Sequence, residues 1–416
     1  MNQELSSSSP ALLSQSGLVQ VPIVPRAVQR LRAGLPMVLR SDVTCEPPPS
    51  TELVLLSDLR GQPIATALWA PTGPLAARLW SMTGELFDEE SLARRLRAAL
   101  GRRRPLLLSS ERDAFRVVHG EADLLPGLFV DRYAESAVIQ TATWAMDRRK
   151  PLLAELLQQL LPLERVVVRD DGSARDMESL PRERGFLRGG PLRQARFHDA
   201  GSTMEADLLS DRKTGSFLDQ QDNHAEVAKW AQSLCPGGEA LDAFTYHGGF
   251  ALAMARAGLG VIACDEDPVA IGRARRNAEL SGVAVDFHIH NAFDLLRSYE
   301  SSGRRFDVVV IDPPALAKRG RSAGLGPSAM SQALRAYKEL NLRALRILRP
   351  GGLLATCSCS GRVTVEDFSL MLRSAAQDVG RPLQLLWRRG AGIDHPVLWG
   401  LGESEYLKCW LFRVLS

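Results

Sequence analysis

From about residue 206 the chain alternates short apolar runs with longer amphipathic stretches, and nothing else in it limits the possible folds so strongly. Ala240–Ala243, Gly260–Cys264, Val283–Ile289, Phe306–Ile311, Gly352–Cys357 and Leu383–Arg388 read as strands. Phe250–Ala257, Pro268–Ser281, Ser331–Leu348 and Val365–Val379 read as helices between them. A strand, a helix and a second strand of this length form a right-handed crossover. Repeated units therefore give an α/β protein with a parallel, doubly wound sheet. Ligands of such sheets gather at the carboxyl ends of the strands, so the residues after each strand carry the functional reading.

Leu241–Phe250 reads as strand, tight turn and helix start. Gly248 and Gly249 let backbone approach a ligand closely, and Asp242, Phe244 and Tyr246 share that turn. The pattern is not the G-x-G-x-x-G of dinucleotide sites, so a pyrophosphate is not indicated. Asp265, ending the next strand, is placed to accept hydrogen bonds from both ribose hydroxyls. Asn291, after the third strand, stands where an amide can meet an adenine edge. In this order and spacing the set favours S-adenosylmethionine over a nucleotide phosphate.

Asp312, Pro313 and Pro314 follow the strand Phe306–Ile311. Two prolines stiffen a loop and remove two backbone donors, which suits clamping a planar base while Asp312 bonds its polar edge. The bland alternative is a stiffened strand exit without a chemical role. Cys357 and Cys359 lie at or past the end of Gly352–Cys357. No second Cys/His pair stands at ligand spacing, which argues against zinc. Cys357 and Cys264 read as small buried apolar groups. Cys359 sits in the polar Ser358–Gly361 turn and is assigned as a nucleophile.

Two other polar stretches are candidates. Asp211–Asn223 includes Lys213, Thr214 and Gly215, a turn able to bring backbone to a ligand; otherwise it is a solvated loop. His395, between Asp394 and Pro396, is either a substrate contact or structural.

Upstream, Leu18–Val24, Leu53–Leu56 and Ala65–Trp69 are short β-like runs punctuated by Pro and Gly, as in a small barrel or sandwich. Asp88–Leu100 reads as a helix capped by Asp88. Ala114–His119, Leu128–Val130, Ser136–Thr141 and Arg165–Arg169 read as strands, Pro151–Leu161 as a helix and Asp170–Gly190 as a loop. The domain expectation is a tail over 1–16, a β-rich domain over 17–87, a linker helix with a central α+β domain over 88–205, and the α/β domain over 206–416.

Six cysteines without a paired framework point to a reduced, cytoplasmic setting. The Ser-rich start has no cationic stretch leading into an apolar core, so it does not read as a secretory signal. No apolar run reaches membrane-spanning length. Net charge is only +3, but arginines cluster at 94, 95, 97, 102, 103 and 104 and again at 182, 184, 188, 193 and 196. Guanidinium forks suit phosphate, while arginine used throughout in place of lysine explains the clusters equally well. Nothing specifies an oligomeric state, and a homodimer stays open.

From about residue 112 the chain resembles the bacterial 23S ribosomal RNA large-subunit 5-methylcytosine methyltransferases that carry an amino-terminal PUA domain. Gly120–Tyr133 is similar to the family's central-domain signature, and Lys213–Asn223 to its pre-methyltransferase motif. Asp242–Gly249, Asp312–Pro314, Ser358–Gly361 and Asp394–Val397 follow in the family's order. The resemblance implies a class I, Rossmann-like methyltransferase domain with a seven-stranded, mostly parallel sheet, preceded by a PUA-like domain. It implies S-adenosylmethionine as donor and an unpaired or flipped RNA cytosine as target, with Pro313, Pro314 and His395 on the substrate side. Cys359 would add to carbon 6 of the base, and Asp312 would support the adduct. The rival readings are a base-nitrogen methyltransferase that does not use Cys359, and a non-catalytic RNA-binding assembly factor.

Overall fold

The computed structural model describes residues 17–316 and 327–415; the tail expected over 1–16 lies outside them. The chain divides into two compact units, residues 1–105, 116–193 and 396–401 in one, and 106–115, 194–395 and 402–416 in the other.

The first unit holds two five-stranded sheets. One is built from Val19–Pro22, Met37–Leu39, Leu53–Ser57, Pro63–Trp69 and Leu75–Ser81. The helix Pro25–Arg32 buries Ala27, Val28 and Leu31 against Val21, Val54, Ala67 and Trp69 of this sheet. Val24 precedes a proline and is extended, so the helix starts at the first position a proline tolerates. The second sheet contains Leu128–Tyr133, Ser136–Thr141, Arg165–Asp170 and Glu183–Arg188, with Ala114–His119 at its edge. The expected loop over Asp170–Gly190 is therefore corrected. It contains a 3-10 turn, Ser173–Glu178, and the strand Glu183–Arg188, antiparallel to Arg165–Asp170. That strand lies at the other edge and stays partly exposed along its length, so it lacks the apolar alternation that marks a strand in sequence.

Helix Glu89–Arg102 carries a capping box between Asp88 and Ser91, as the sequence predicts for Asp88. Its arginines divide sharply. Arg103 is buried in a bidentate pair with Asp123 at 2.6 and 2.7 Å. Arg95 lies 3.5 Å over the Trp80 ring and donates to the Trp80 carbonyl. Arg97 and Arg104 remain exposed, as do all five arginines of the 182–196 cluster. Two of the six in the first cluster, Arg95 and Arg103, are internal structure, and the second cluster is surface.

In the second unit, the antiparallel hairpin Gln194–Asp199 and Ser202–Asp207 precedes helix Gln221–Leu234. A seven-stranded sheet follows: Glu239–Asp242, Gly260–Asp265, Asp286–Ile289, Phe306–Ile311, Leu348–Ser358, Leu383–Arg389 and Lys408–Val414. Their spatial order is third, second, first, fourth, fifth, seventh, sixth. The first five pair in parallel, and the seventh is antiparallel to both of its neighbours. Pro268–Ser281 and Val365–Val379 form the helices expected, and Ala292–Ser301 adds one more. Leu241, Val309, Ile311, Leu354, Tyr337, Leu345 and Phe368 belong to one dry core against a face of the sheet. The strand order reverses between the first and fourth strands, which opens a crevice at their carboxyl ends.

Candidate active site

A cavity of about 220 Å³ lies at that crevice. Its walls come from the ends of the first five strands and from the segment before helix Gln221–Leu234, including Gln220, Tyr246, Asp265, Phe293, Asp312 and Cys359.

The turn after the first strand is held by its neighbours. Ala243 N donates to Val310 O at 3.1 Å, and Thr245 N to Cys264 O at 2.9 Å. The turn closes with Tyr246 at φ 47° and Gly248 at φ 97°, a backbone region that glycine enters without the Cβ penalty. Gly249 has no such constraint but has no room either: a Cβ there would lie 2.2 Å from the His224 ring. His224 is itself fixed, its Nδ1 3.0 Å from Asp199 Oδ2 and its ring edge-on to Phe250. Phe244, Tyr246 and Gly249 line the cavity, whereas Asp242 and Gly248 stand behind its wall. Burial pushes the Asp242 carboxyl up to about 6, against the opposing Thr245 hydroxyl and His224 charge.

Asp265 faces the cavity and accepts two backbone N–H groups, from Tyr246 at 3.0 Å and Asp267 at 3.0 Å. Those two bonds fix the carboxylate while leaving lone pairs for two more donors. Asp267, not Asp265, caps helix Pro268–Ser281. Asn291 lines the cavity, but its oxygen caps helix Ala292–Ser301 through Phe293 N at 3.0 Å and its amide donates to Glu266 at 3.1 Å. A half-buried Asp265, an exposed Glu266 and the Phe293 ring thus share the cavity wall. A carboxylate for ribose hydroxyls, a ring for a base and an open backbone turn suit a nucleoside without a phosphate.

On the facing side, Asp312 accepts from Gln220 Nε2 at 2.9 Å. Gln220 is in turn oriented by Asn223 Nδ2, which donates to its Oε1 at 2.6 Å and to Gly390 O at 3.1 Å. Burial pushes Asp312 up to about 7; Gln220 opposes that rise, and the Asp219 and Asp242 carboxylates add to it. The fourth and fifth strands run in parallel register, with Ile311 paired to Thr356, so Asp312 and the residues after Cys357 emerge side by side. Cys359 Sγ lies 4.0 Å from Pro313 O. Its thiol is raised to about 11, mainly by burial and then by the Asp312 charge, with Lys213 pulling the other way. Pro313 is buried and Pro314 exposed, both on the cavity wall. Cys357 is buried opposite Cys409 on the seventh strand and Cys264 is buried too, the structural places assigned to both from sequence.

Lys213, Thr214 and Gly215 do not reach the wall, although their neighbours Arg212, Ser216 and Phe217 do. Lys213 adopts φ 58° and places its ammonium 3.5 Å from Asp219 Oδ2, over the Phe217 and Tyr406 rings. Asp219 also accepts from the Tyr406 hydroxyl at 2.6 Å. His395 is buried beside Asp394, which pairs with Arg112 at 3.0 Å, and is not on the wall. Sequence reasoning missed Gln220, His224, Glu266 and Phe293. The polar density of Asp211–Asn223 was the signal for Gln220, and His224 follows that stretch directly, but their direction depends on where the helix at Gln221 begins.

A family model for S-adenosylmethionine-dependent methyltransferases matches residues 181–383, and one for PUA-like domains matches residues 21–82. A protein of Erwinia tasmaniensis named ribosomal RNA large subunit methyltransferase I is 33% identical over 372 residues, spanning 88% of this chain and 91% of the relative. One of the same name from Aeromonas salmonicida is 34% identical over 334 residues, covering 79% of this chain and 82% of its own. Among solved structures, a methyltransferase complexed with SAH superposes with a TM-score of 0.79 at 17% identity, over 95% of this chain and all of the other. A Streptococcus mutans methyltransferase does so at 0.77, again at 17% identity and with the same coverage. These two likenesses concern the fold.

Proposed function

The chain belongs to the S-adenosylmethionine-dependent ribosomal RNA large subunit methyltransferases, and on that premise we propose that it methylates carbon 5 of a cytosine in 23S ribosomal RNA through a covalent Cys359 adduct. The observation that carries this reading is the meeting of a thiol and a carboxyl on one cavity wall, Cys359 beside the Asp312–Pro314 loop.

When bound, S-adenosylmethionine supplies an electrophilic methyl group. Asp265 would hold the ribose, Phe244, Tyr246 and Gly249 the remainder of the nucleoside side, with Asn291 fixing the third-strand turn. Carbon 5 of cytosine is a weak nucleophile. A bond from Cys359 Sγ to carbon 6 moves the ring electrons onto carbon 5 and makes it reactive. Asp312, raised to about 7 and so carrying a proton much of the time near neutrality, would donate to the ring nitrogen and stabilise the adduct. Once carbon 5 has taken the methyl group, leaving S-adenosylhomocysteine, loss of the carbon 5 proton to a water and return of the ring-nitrogen proton to Asp312 restore the ring double bond and expel Cys359 as thiolate. Pro313 and Pro314 give the base a stiff wall. Carbon 6 is shielded in a stacked helix, so the target cytosine would be unpaired or flipped. The PUA-like domain and the exposed arginines at 182–196 would hold the RNA phosphates, and the reaction would take place in the cytoplasm, where ribosomes are made.

The test is methylation of ribosomal RNA with labelled S-adenosylmethionine by wild type and Cys359→Ala, with the labelled nucleoside identified. Label in 5-methylcytosine, absent from the variant, is expected. Label on a base nitrogen, or turnover retained without the thiol, overturns the covalent reading.

A further inference from the structure

Lys408 is a buried cation with an unusual set of partners. It begins the seventh strand, directly opposite Ser358 on the fifth in the antiparallel register. Its side chain is almost fully buried. Nζ donates to Ser360 O at 2.6 Å, Val363 O at 2.8 Å and Tyr406 O at 2.9 Å. All three partners are backbone carbonyls. No carboxylate lies within ion-pair distance of Lys408 among the described residues, whereas the other well-buried lysine, Lys150, has three. A buried ammonium is ordinarily matched by an anion because desolvating it alone is costly.

Ser360, whose carbonyl is one of these acceptors, is bonded in the chain to Cys359. Ser360 and Val363 are in the turn that follows Cys359, so Lys408 pins the segment that carries the thiol. Ser358, on the other side of Cys359, is held by Tyr337 through hydroxyls 3.1 Å apart. We propose that Lys408 is a positioning residue for Cys359: it clamps the turn after the thiol, and its charge is balanced when Cys359 ionises. This rests on the reading of Cys359 as nucleophile.

Other charged groups face the same thiol. Asp312 comes from the end of the fourth strand, and Asp219 and Lys213 from the segment before helix Gln221–Leu234. The Tyr337 hydroxyl approaches from helix Pro327–Ile347, and Glu405 faces Lys408 from the preceding turn. Asp312 and Asp219 oppose a thiolate, so the thiol needs a cation from behind the wall. Lys213 is one, exposed and already shared with Asp219. Lys408 is the buried one. Burial draws its own proton affinity down to about 8, and Cys359 and Glu405 act against that fall.

The test measures the pH dependence of Cys359 alkylation by iodoacetamide in the full-length protein. The Cys359 peptide is quantified by mass spectrometry, so the other five cysteines do not interfere. Lys408→Gln keeps hydrogen-bond donors for the carbonyls but removes the charge; Lys408→Arg keeps the charge. The expected result is a rise of about one unit or more in the apparent Cys359 pKa for Lys408→Gln, about tenfold slower alkylation at fixed pH, with Lys408→Arg near wild type. S-adenosylmethionine binding by each variant reports that the fold is intact. An unchanged pKa in a folded Lys408→Gln, or an equal rise in both variants, overturns the proposal. If Lys408→Gln does not fold, Lys408→Arg decides alone, and a raised Cys359 pKa there also overturns it. Alkylation does not require methyl transfer, so this outcome is independent of whether Cys359→Ala retains turnover.

Discussion

Replacing Asp312 with Asn should make the protein more stable at alkaline pH while abolishing methylation. The carboxyl moves from 3.8 to about 7 on folding. As pH rises through 3.8 the unfolded chain ionises first, while the folded one keeps its proton until about 7. Between those values the folded state binds more protons, so stability falls as pH rises. At about 1.4 kcal/mol per unit, the full penalty at pH 8 is roughly 4 kcal/mol. Part of the side chain remains open to the cavity, and screening by water there halves this to about 2 kcal/mol. Asn retains an oxygen for the Gln220 donor at 2.9 Å, so the substitution changes charge and little else. The assay is urea unfolding of both proteins at about pH 5 and pH 8. The variant should lead by about 2 kcal/mol at pH 8 and by less than about 1 kcal/mol at pH 5. A pH-independent lead, or a less stable variant at pH 8, would show that Asp312 is not held as a destabilised acid.

Two more substitutions probe the same cavity. Gly249→Ala places a methyl group into the His224 ring, which Asp199 and Phe250 hold still. It should cost about 1–3 kcal/mol by overpacking and weaken S-adenosylmethionine binding, read by thermal shift and titration; unchanged values for both would mean that the ring yields. Gln220→Leu removes the donor that favours ionised Asp312, a bond to a charged group worth about 1.5–3 kcal/mol. The alkaline limb of the pH–rate profile, where Asp312 loses the proton it donates, should move up by about one to two units, and a limb that stays in place would detach it from Asp312.

The α/β half was legible because its central strands are buried on both faces and appear as continuous apolar runs, such as Val308–Ile311. Helices with caps were equally plain: Pro268–Ser281 and Val365–Val379 match their expected limits. Glu183–Arg188 was not legible because an exposed edge strand needs no apolar face. Helix Gln221–Leu234 was hidden by buried polar residues in its first turn, Gln221, Asn223 and His224, which interrupt the apolar spacing. In the site, residues on strand ends were readable from position alone. Glu266, Phe293 and Gln220 were not, because their relevance depends on which way a side chain turns. Lys408 lies fifty residues from Ser358, and only the antiparallel register brings them opposite each other.

The placement of the seventh strand between the fifth and sixth bears on how the protein is made. The fifth strand carries the thiol turn at its end, and its outer edge is covered by Lys408–Val414, a segment synthesised after the sixth strand. During translation the fifth strand must wait with one side of its backbone unpaired while the sixth has no neighbour to join. A nascent chain that has not yet extended through residue 414 therefore holds the turn after the first strand and the Asp312 loop but lacks the seated Lys408 that bonds Ser360 O and Val363 O. Completion of the Cys359 turn is deferred to the last insertion into the sheet, and a prematurely terminated chain is expected to leave an open strand edge.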